Sequence, residues 1–117
     1  MTKITLLGEP KSTNHIYKIN CAGGFPRMYM SAEGKEIKER YQWEAKSQFK
    51  KKLIEDEISL DVWLWFKTLR KHDIDNYNKI LFDSLTGTIW KDDSQIQELI
   101  VHKMIDKENP RIEITIL

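Results

Sequence analysis

The sequence contains one cysteine, almost no net charge and no long apolar run. Cys21 cannot form a disulfide within the chain, and no Cys/His pair has zinc-finger spacing, so a disulfide framework and a structural zinc site are both excluded. The apolar stretch at the start is too short for a signal peptide, and no segment approaches membrane-spanning length. These absences predict an intracellular protein with no membrane partner.

The length and composition are typical of one globular domain. The chain has 117 residues, of which 40% are hydrophobic and 32% are charged. That size is sufficient for one hydrophobic core and leaves no room for a second domain. We therefore expect a single domain over residues 1–117.

The net charge of +1 conceals two opposite blocks. Residues 1–54 carry 11 Lys and Arg against 5 Asp and Glu, whereas residues 73–117 carry 5 against 9. Divalent ions bound by the acidic block would raise the effective charge, so the formal value understates attraction to phosphate. Nucleic acid is therefore a candidate partner.

Hydrophobic periodicity and turn residues predict the order β, loop, α, β, α, β, β. The predicted elements are a strand over 1–8, a long loop or irregular hairpin over 9–27, a helix capped by Ser31 that runs to about Lys52, a strand over Ile58 to Phe66, a helix from Asp75 or Asn76 to about Leu85, and strands over Gln97 to Met104 and Arg111 to Leu117. We expect the strand from Ile58 to be buried, because it is almost continuously apolar. The order predicts an α+β fold with a mixed or antiparallel sheet and two main helices.

Closely spaced carboxylates and one lysine stand between residues 73 and 93. Asp73 at a strand end and Asp75 at a helix start could place two carboxylates on one side of the chain, and Asp93 would complete the cluster from the following loop. Asp75, Lys79 and Asp83 have the i, i+4, i+8 spacing of one helical face. Mg²⁺ prefers carboxylate oxygens and commonly completes its shell with substrate phosphate. The pattern suggests metal-dependent phosphodiester cleavage.

Each of these residues also has a purely structural interpretation. Asp75 could cap its helix, and Asp92 and Asp93 could form a turn or cap the segment that follows. Lys79 could pair with Asp75 or Asp83, and we favour Asp83 as its partner rather than as a metal ligand. Asp92 is less suited than Asp93 to reach a metal.

A calcium loop, by contrast, is excluded. If Asp73 began an EF-hand loop, position 77 would need a calcium-binding oxygen, position 78 a glycine and position 84 a glutamate. The sequence has Tyr77, Asn78 and Ser84 instead, so none of the three requirements is met.

The residues that could contact DNA lie next to the acidic motif. Lys67, Arg70 and Lys71 directly precede it and could bind the backbone beside the cleaved bond, while His72 could touch phosphate or simply occupy a loop. The four tryptophans are better suited to anchor a core or a dimer interface than to stack on bases. They are Trp43, Trp63, Trp65 and Trp90.

The pattern Asp73-x-Asp75-Asn76-x-x-Lys79-x-x-x-Asp83-x-Leu85, followed by Trp90-x-Asp92-Asp93-x-Gln95, resembles the signature of the RusA family of Holliday junction resolvases. Weaker similarity covers residues 10–17 and 31–34. The resemblance implies a homodimeric α+β endonuclease that nicks four-way DNA junctions symmetrically with Mg²⁺ or Mn²⁺. By motif position, Asp73, Asp75 and Asp93 would be metal-binding catalytic carboxylates, and Lys79 the essential lysine.

The resemblance also suggests a biological setting and a wider DNA contact. Candidate DNA-binding residues are Lys11, Asn14, Lys67, Arg70, Lys71 and His72. The expected setting is recombination or repair in the cytoplasm of a bacterial or phage-infected cell, with a prophage link. Two alternatives stay open: a metal-dependent nuclease for flaps or forks, and a DNA-binding or structural phage protein without catalysis.

Overall fold

The computed structural model describes residues 1–68 and 70–117, with Ala22 described by its backbone alone. These residues form six strands and three α-helices. The elements are β1 (Thr2–Leu7), α1 (Thr13–Ile16), β2 (Tyr17–Asn20), β3 (Arg27–Met30), α2 (Ala32–Gln48), β4 (Ile58–Phe66), α3 (Asn78–Leu85), β5 (Ile96–Ile105) and β6 (Arg111–Ile116). Within the described ranges, no helix is both long enough and apolar enough to cross a membrane. The α+β prediction is confirmed.

The main sheet is mixed and has the strand order β1-β6-β4-β5. β6 pairs antiparallel with β1 and β4, whereas β5 lies at the sheet edge and runs parallel to β4. The parallel pairing extends from Ile58 opposite Ile96 to Phe66 opposite Ile105. A parallel neighbour requires a crossover connection, and α3 lies within that connection. β2 and β3 form a separate hairpin, which occupies part of the predicted loop over 9–27.

Strand β4 has the predicted bounds, but only one of its faces is buried. Its buried and half-buried residues alternate along the whole strand, as the period of two requires. Trp63 and Trp65 lie on the half-buried face, with ring centroids 6.2 Å apart. The almost continuous apolar run of β4 therefore consists of one buried face and one half-buried face that carries the tryptophans, so the prediction of a fully buried strand is wrong.

Helix α2 begins as predicted and ends earlier. The Ser31 Oγ accepts a hydrogen bond from the Gly34 backbone N–H at 3.0 Å, which caps the first turn. One side of the helix packs into the core through Ile37, Tyr41 and Ala45. The helix ends at Gln48 rather than near Lys52, because the buried Phe49 leaves the helical conformation and the lysines after it add no apolar face.

The other two differences concern the predicted second helix and one tryptophan. A 3₁₀ turn over Ile74–Tyr77 precedes α3, so the α-helix starts at Asn78. Trp90 is fully buried, and its Nε1 donates to Thr86 Oγ1 at 2.9 Å. Trp43 is 71% exposed and lies outside the core.

Candidate functional site

The turn that carries Asp73 and Asp75 is packed over the end of β4. The His72 ring stacks on Phe66 with centroids 3.9 Å apart, and its Nδ1 lies 3.0 Å from the Tyr77 hydroxyl. These contacts close the chain on both sides of the turn and leave Asp73 and Asp75 exposed. The sequence predicted Asp73 at the end of a strand. Instead, Asp73 lies at the N-terminal boundary of the 3₁₀ turn, seven residues after Phe66, where β4 ends.

Two further hydrogen bonds tie this turn to the rest of the protein. Lys103 Nζ, near the end of β5, donates to the His72 carbonyl oxygen at 2.8 Å. Thr13 Oγ1, at the start of α1, donates to the Asn76 carbonyl oxygen at 2.7 Å. The turn is therefore fixed between the sheet edge and the N-terminal segment.

Lys79, in the first turn of α3, has two partners. Its Nζ lies 3.4 Å from Asp83 Oδ2 and 4.8 Å from the centroid of the Tyr17 ring. The Tyr17 hydroxyl donates to the same Asp83 carboxylate. The pairing that we favoured from the spacing is therefore present. Asp75 does not share this α-helical face, because it precedes α3.

Burial and charge keep the two tyrosines of this region protonated. Burial, followed by the hydrogen bond to Asp83, raises the pKa of Tyr17. Burial also raises the pKa of Tyr77, and the negative charges of Glu9 and Asp73 add to the effect. Tyr17 is therefore a stable hydrogen-bond donor to Asp83 at neutral pH.

Asp92 and Asp93 form a second acidic turn with divided roles. Asp92 Oδ1 accepts from the Ser94 backbone N–H at 3.2 Å, and Gln95 Oε1 accepts from the Asp92 N–H at 2.7 Å, which completes a capping box. The bond from Ser94 holds the pKa of Asp92 below its ordinary value. Both residues are exposed, but Asp92 is the one whose backbone N–H and side chain make the hydrogen bonds of the capping box.

The two acidic turns lie at opposite ends of β4. Asp73 follows the end of β4, where Phe66 pairs with Ile105, and Asp93 precedes the start of β5, where Ile96 pairs with Ile58. Eight steps of about 3.3 Å along a strand separate these ends by about 26 Å. The role of Asp93 in the cluster stays a prediction. Across residues 1–68 and 70–117, no three His, Cys, Asp or Glu side chains are grouped so as to hold a metal ion.

The basic candidates belong to segments near the Asp73 turn. Lys67, Arg70 and Lys71 are exposed on the connection between β4 and that turn. The Lys67 backbone N–H donates to Glu9 Oε2 at 2.7 Å, which brings the N-terminal segment alongside. Lys11 and Asn14 are on that segment, and Asn14 is within α1.

Sequence reasoning missed Tyr17 and Thr13 as parts of this region. Both fall within the stretch over 10–17 that showed weaker family similarity. No spacing rule connects them to Asn76 or Asp83, which lie more than sixty residues away.

An α+β scaffold that presents two carboxylates on an exposed turn, followed by a lysine in the next helix, defines a candidate nuclease. The family model described as "Endodeoxyribonuclease RusA" matches residues 8–117. The chain therefore belongs to the RusA family. This confirms the resemblance drawn from residues 73–95.

Individual relatives are consistent with this membership. The "Crossover junction endodeoxyribonuclease RusA" of Escherichia coli (strain K12) is 29% identical over 108 residues, covering 92% of this chain and 87% of that protein. The protein of the same name from Aquifex aeolicus is 43% identical over 67 residues, which are 56% of this chain and 52% of the relative. The "Uncharacterized protein YqaN" of Bacillus subtilis is 48% identical over 46 residues, 39% of this chain and 32% of its own length.

Proposed function

We propose that this protein is an endodeoxyribonuclease that resolves four-way DNA junctions by paired symmetric nicks, in recombination or repair. The observation that carries the proposal is an exposed turn that presents Asp73 and Asp75, followed directly by the helix that carries Lys79, in a chain of this family. The rest of the fold supports the role, because contacts from α1, β4 and β5 all hold that turn in place. We assign the activity to one domain over residues 1–117 and to the cytoplasm.

Lys79 is the residue that we assign to the scissile phosphate. An ammonium group is a compact point charge that can stabilise negative charge developing on a phosphoryl oxygen. Its contacts with Asp83 and the Tyr17 ring restrict where it points before DNA arrives. Asp83 and Tyr17 are therefore positioning residues for Lys79 in this proposal.

Mg²⁺, or Mn²⁺ in its place, is the cofactor that we propose. A bound divalent ion would supply Lewis acidity at the scissile phosphate. Carboxylate oxygens are suitable donors for such ions, but Asp73, Asp75 and Asp93 of one chain do not form one site. No step is therefore assigned to the ion here.

DNA binding is assigned to the exposed basic residues beside the turn. Lys67, Arg70 and Lys71 would contact phosphates flanking the cleaved bond, with Lys11 and Asn14 contributing from the N-terminal segment. His72 is half-buried and stacked on Phe66, so it contributes by fixing the turn more than by direct contact. Affinity should fall steeply with salt, because each neutralised phosphate releases counterions.

The first test is cleavage of a synthetic mobile four-way junction with Mg²⁺, with cuts mapped on all four strands. Wild type is compared with Asp75→Asn and with Glu39→Gln, a control at an exposed position on α2. We expect paired nicks on opposing strands, lost in Asp75→Asn and kept in Glu39→Gln. Equal cleavage of flaps or forks would favour the branched-DNA nuclease instead. Junction binding without cleavage in Mg²⁺ and Mn²⁺ would favour the binding protein.

A further inference from the structure

The hairpin of β2 and β3 has one apolar face and one polar face. Its register sets Ile19 opposite Met28 and Lys18 opposite Tyr29. Because side chains alternate between the two sides of a strand, Ile19 and Met28 share one face, and Lys18, Arg27 and Tyr29 share the other. Ile19 and Met28 are 67% and 60% exposed, so most of the apolar face is open to solvent.

The base of the hairpin is fixed beside the candidate site, and its tip extends away from that site. The Tyr17 hydroxyl, at the first residue of β2, donates to Asp83, and Met30, at the last residue of β3, packs against the core. Three steps of about 3.3 Å carry β2 about 10 Å away from Tyr17, and the loop over 21–26 lies beyond that point. Because the Tyr17 ring lies next to Lys79, the tip is about three base steps of a DNA strand from that lysine.

Phe25 is the aromatic residue that this tip presents. Its side chain is 72% exposed, and it stands between the 3₁₀ turn over Ala22–Gly24 and Pro26. Its backbone is extended, with φ −120° and ψ 126°, as expected for a residue directly before a proline. A ring on a restricted backbone loses less conformational entropy when it binds. Phe25 is therefore suited to stack on a flat partner such as a nucleobase.

Charge identifies DNA as the partner of the hairpin. Residues 10–32 contain three Lys and Arg and no Asp or Glu. Lys18 Nζ donates to the Asn14 carbonyl oxygen at 3.4 Å rather than to a carboxylate, and Arg27 has no salt bridge within residues 1–68 and 70–117. Both cations are therefore available to phosphate oxygens. An apolar partner would leave this basic face without a role.

We propose that the hairpin over 17–30 binds the branch point of the DNA, with Lys18 and Arg27 on phosphates and the Phe25 ring stacked on a base at the crossover. The proposal rests on the proposed function, since it names the element that recognises a branched substrate. Taking a base out of a continuous duplex costs unstacking and unpairing, and that cost is least where the helix is interrupted. The hairpin therefore favours a junction over a duplex.

The test is a binding titration in EDTA, where neither cleavage nor a metal ion affects the result. A fluorescent four-way junction and a duplex of the same arm sequence are titrated with wild type, Phe25→Ala and Trp43→Ala, and anisotropy is measured. Phe25→Ala should weaken junction binding about 5- to 150-fold, the loss that removal of one base-stacking ring gives, and should change duplex binding by about twofold at most. Trp43→Ala removes an equally exposed ring from α2 and should bind both DNAs as wild type does.

Two further variants separate stacking from folding and from charge. Phe25→Tyr keeps an aromatic ring and should restore junction affinity. Arg27→Ala should weaken binding to both DNAs alike and lower the slope of log affinity against log salt by about 0.9, because phosphates are the same in each.

The outcomes distinguish the hairpin from the nuclease assignment. If wild type prefers the junction and Phe25→Ala keeps that preference, the hairpin proposal is overturned and the proposed function stands. If wild type binds junction and duplex equally, the proposed function fails, and branch recognition by the hairpin fails with it. A change of oligomeric state in Phe25→Ala, measured by sedimentation, would assign the exposed ring to contact between copies of the chain and overturn the stacking.

Discussion

Gly34 is the position where two opposing effects on stability can be separated. It lies in the first turn of α2, where replacing glycine by alanine usually stabilises a helix by about 0.5–1 kcal/mol. Here a Cβ would stand 2.6 Å from Ile16 Cγ2, 2.8 Å from Met30 Cγ and 2.9 Å from the Ile16 carbonyl oxygen. The side chains can shift, but the carbonyl is backbone. The Ile16 carbonyl oxygen also accepts a hydrogen bond from the Ser31 backbone N–H at 2.8 Å, which holds it in place.

The clash should outweigh the helix effect in Gly34→Ala. Overpacking of a buried site costs about 1–3 kcal/mol, and the backbone contact places Gly34 in the upper half of that range. A cost of about 2–3 kcal/mol, less the helix gain of about 0.5–1 kcal/mol, leaves a net loss in the free energy of unfolding of about 1–2.5 kcal/mol. Urea denaturation followed by circular dichroism measures it directly. Because Ile16 immediately precedes Tyr17, junction cleavage should also fall in protein that is still folded.

A substitution to alanine at an exposed position of the same helix shows whether the loss of stability comes from the close contacts at Gly34. Lys35→Ala follows Gly34 directly, and its side chain points to solvent, so its unfolding free energy should change by no more than about 0.5 kcal/mol. A Gly34→Ala protein as stable as wild type, or more stable, would show that α1 can move away from α2. In that case the close packing at Ile16 would not be what requires glycine.

Three further substitutions test single contacts. Ser31→Ala should lower the free energy of unfolding by about 1 kcal/mol in urea denaturation, because it removes the α2 cap. Thr86→Val should cost about 1–3 kcal/mol in the same assay, because it leaves the buried Trp90 N–H without its acceptor. A hydrogen bond from the Arg111 guanidinium lowers the pKa of Asp106 below its ordinary value of 3.8. The ionised carboxylate therefore stabilises the folded protein above about pH 4, and this stabilisation is lost as the pH falls through the lowered pKa. The stability gap between wild type and Asp106→Asn should therefore be widest near neutral pH and should narrow as the pH falls below about 4, and a gap that does not narrow at all with acid would contradict this cause.

Much of the fold was predictable because its signals are local. β4 has its predicted bounds, since nine residues of strand-forming side chains are enclosed by charged segments. The cap at Ser31 was also predicted from the sequence. Gly87, just past the end of α3, has a φ of +83°, a conformation that favours glycine at this position. The i, i+4 spacing allowed Lys79 to pair with Asp75 or Asp83, and the structure has the pair with Asp83 that we favoured.

The missing parts of the site depend on contacts between distant segments. Neither strand's sequence shows whether β5 lies parallel or antiparallel to β4, yet that direction decides whether the start of β5 lies at the same end of β4 as the Asp73 turn or at the opposite end. The Tyr17–Asp83 hydrogen bond joins residues 66 positions apart. Glycine is a poor helix former, and the reason for Gly34 in the first turn of α2 is the close approach of Ile16 and Met30, which lie outside that helix.

The hydrogen bonds that hold the Asp73 turn end on main-chain oxygens rather than on its carboxylates. Thr13 Oγ1 donates to the Asn76 carbonyl oxygen, and Lys103 Nζ donates to the His72 carbonyl oxygen. The conformation of the turn should therefore depend little on the side chains of Asp73 and Asp75. Those two carboxylates could be exchanged for other side chains without rebuilding the loop, so scaffold and chemistry are separable parts of this protein.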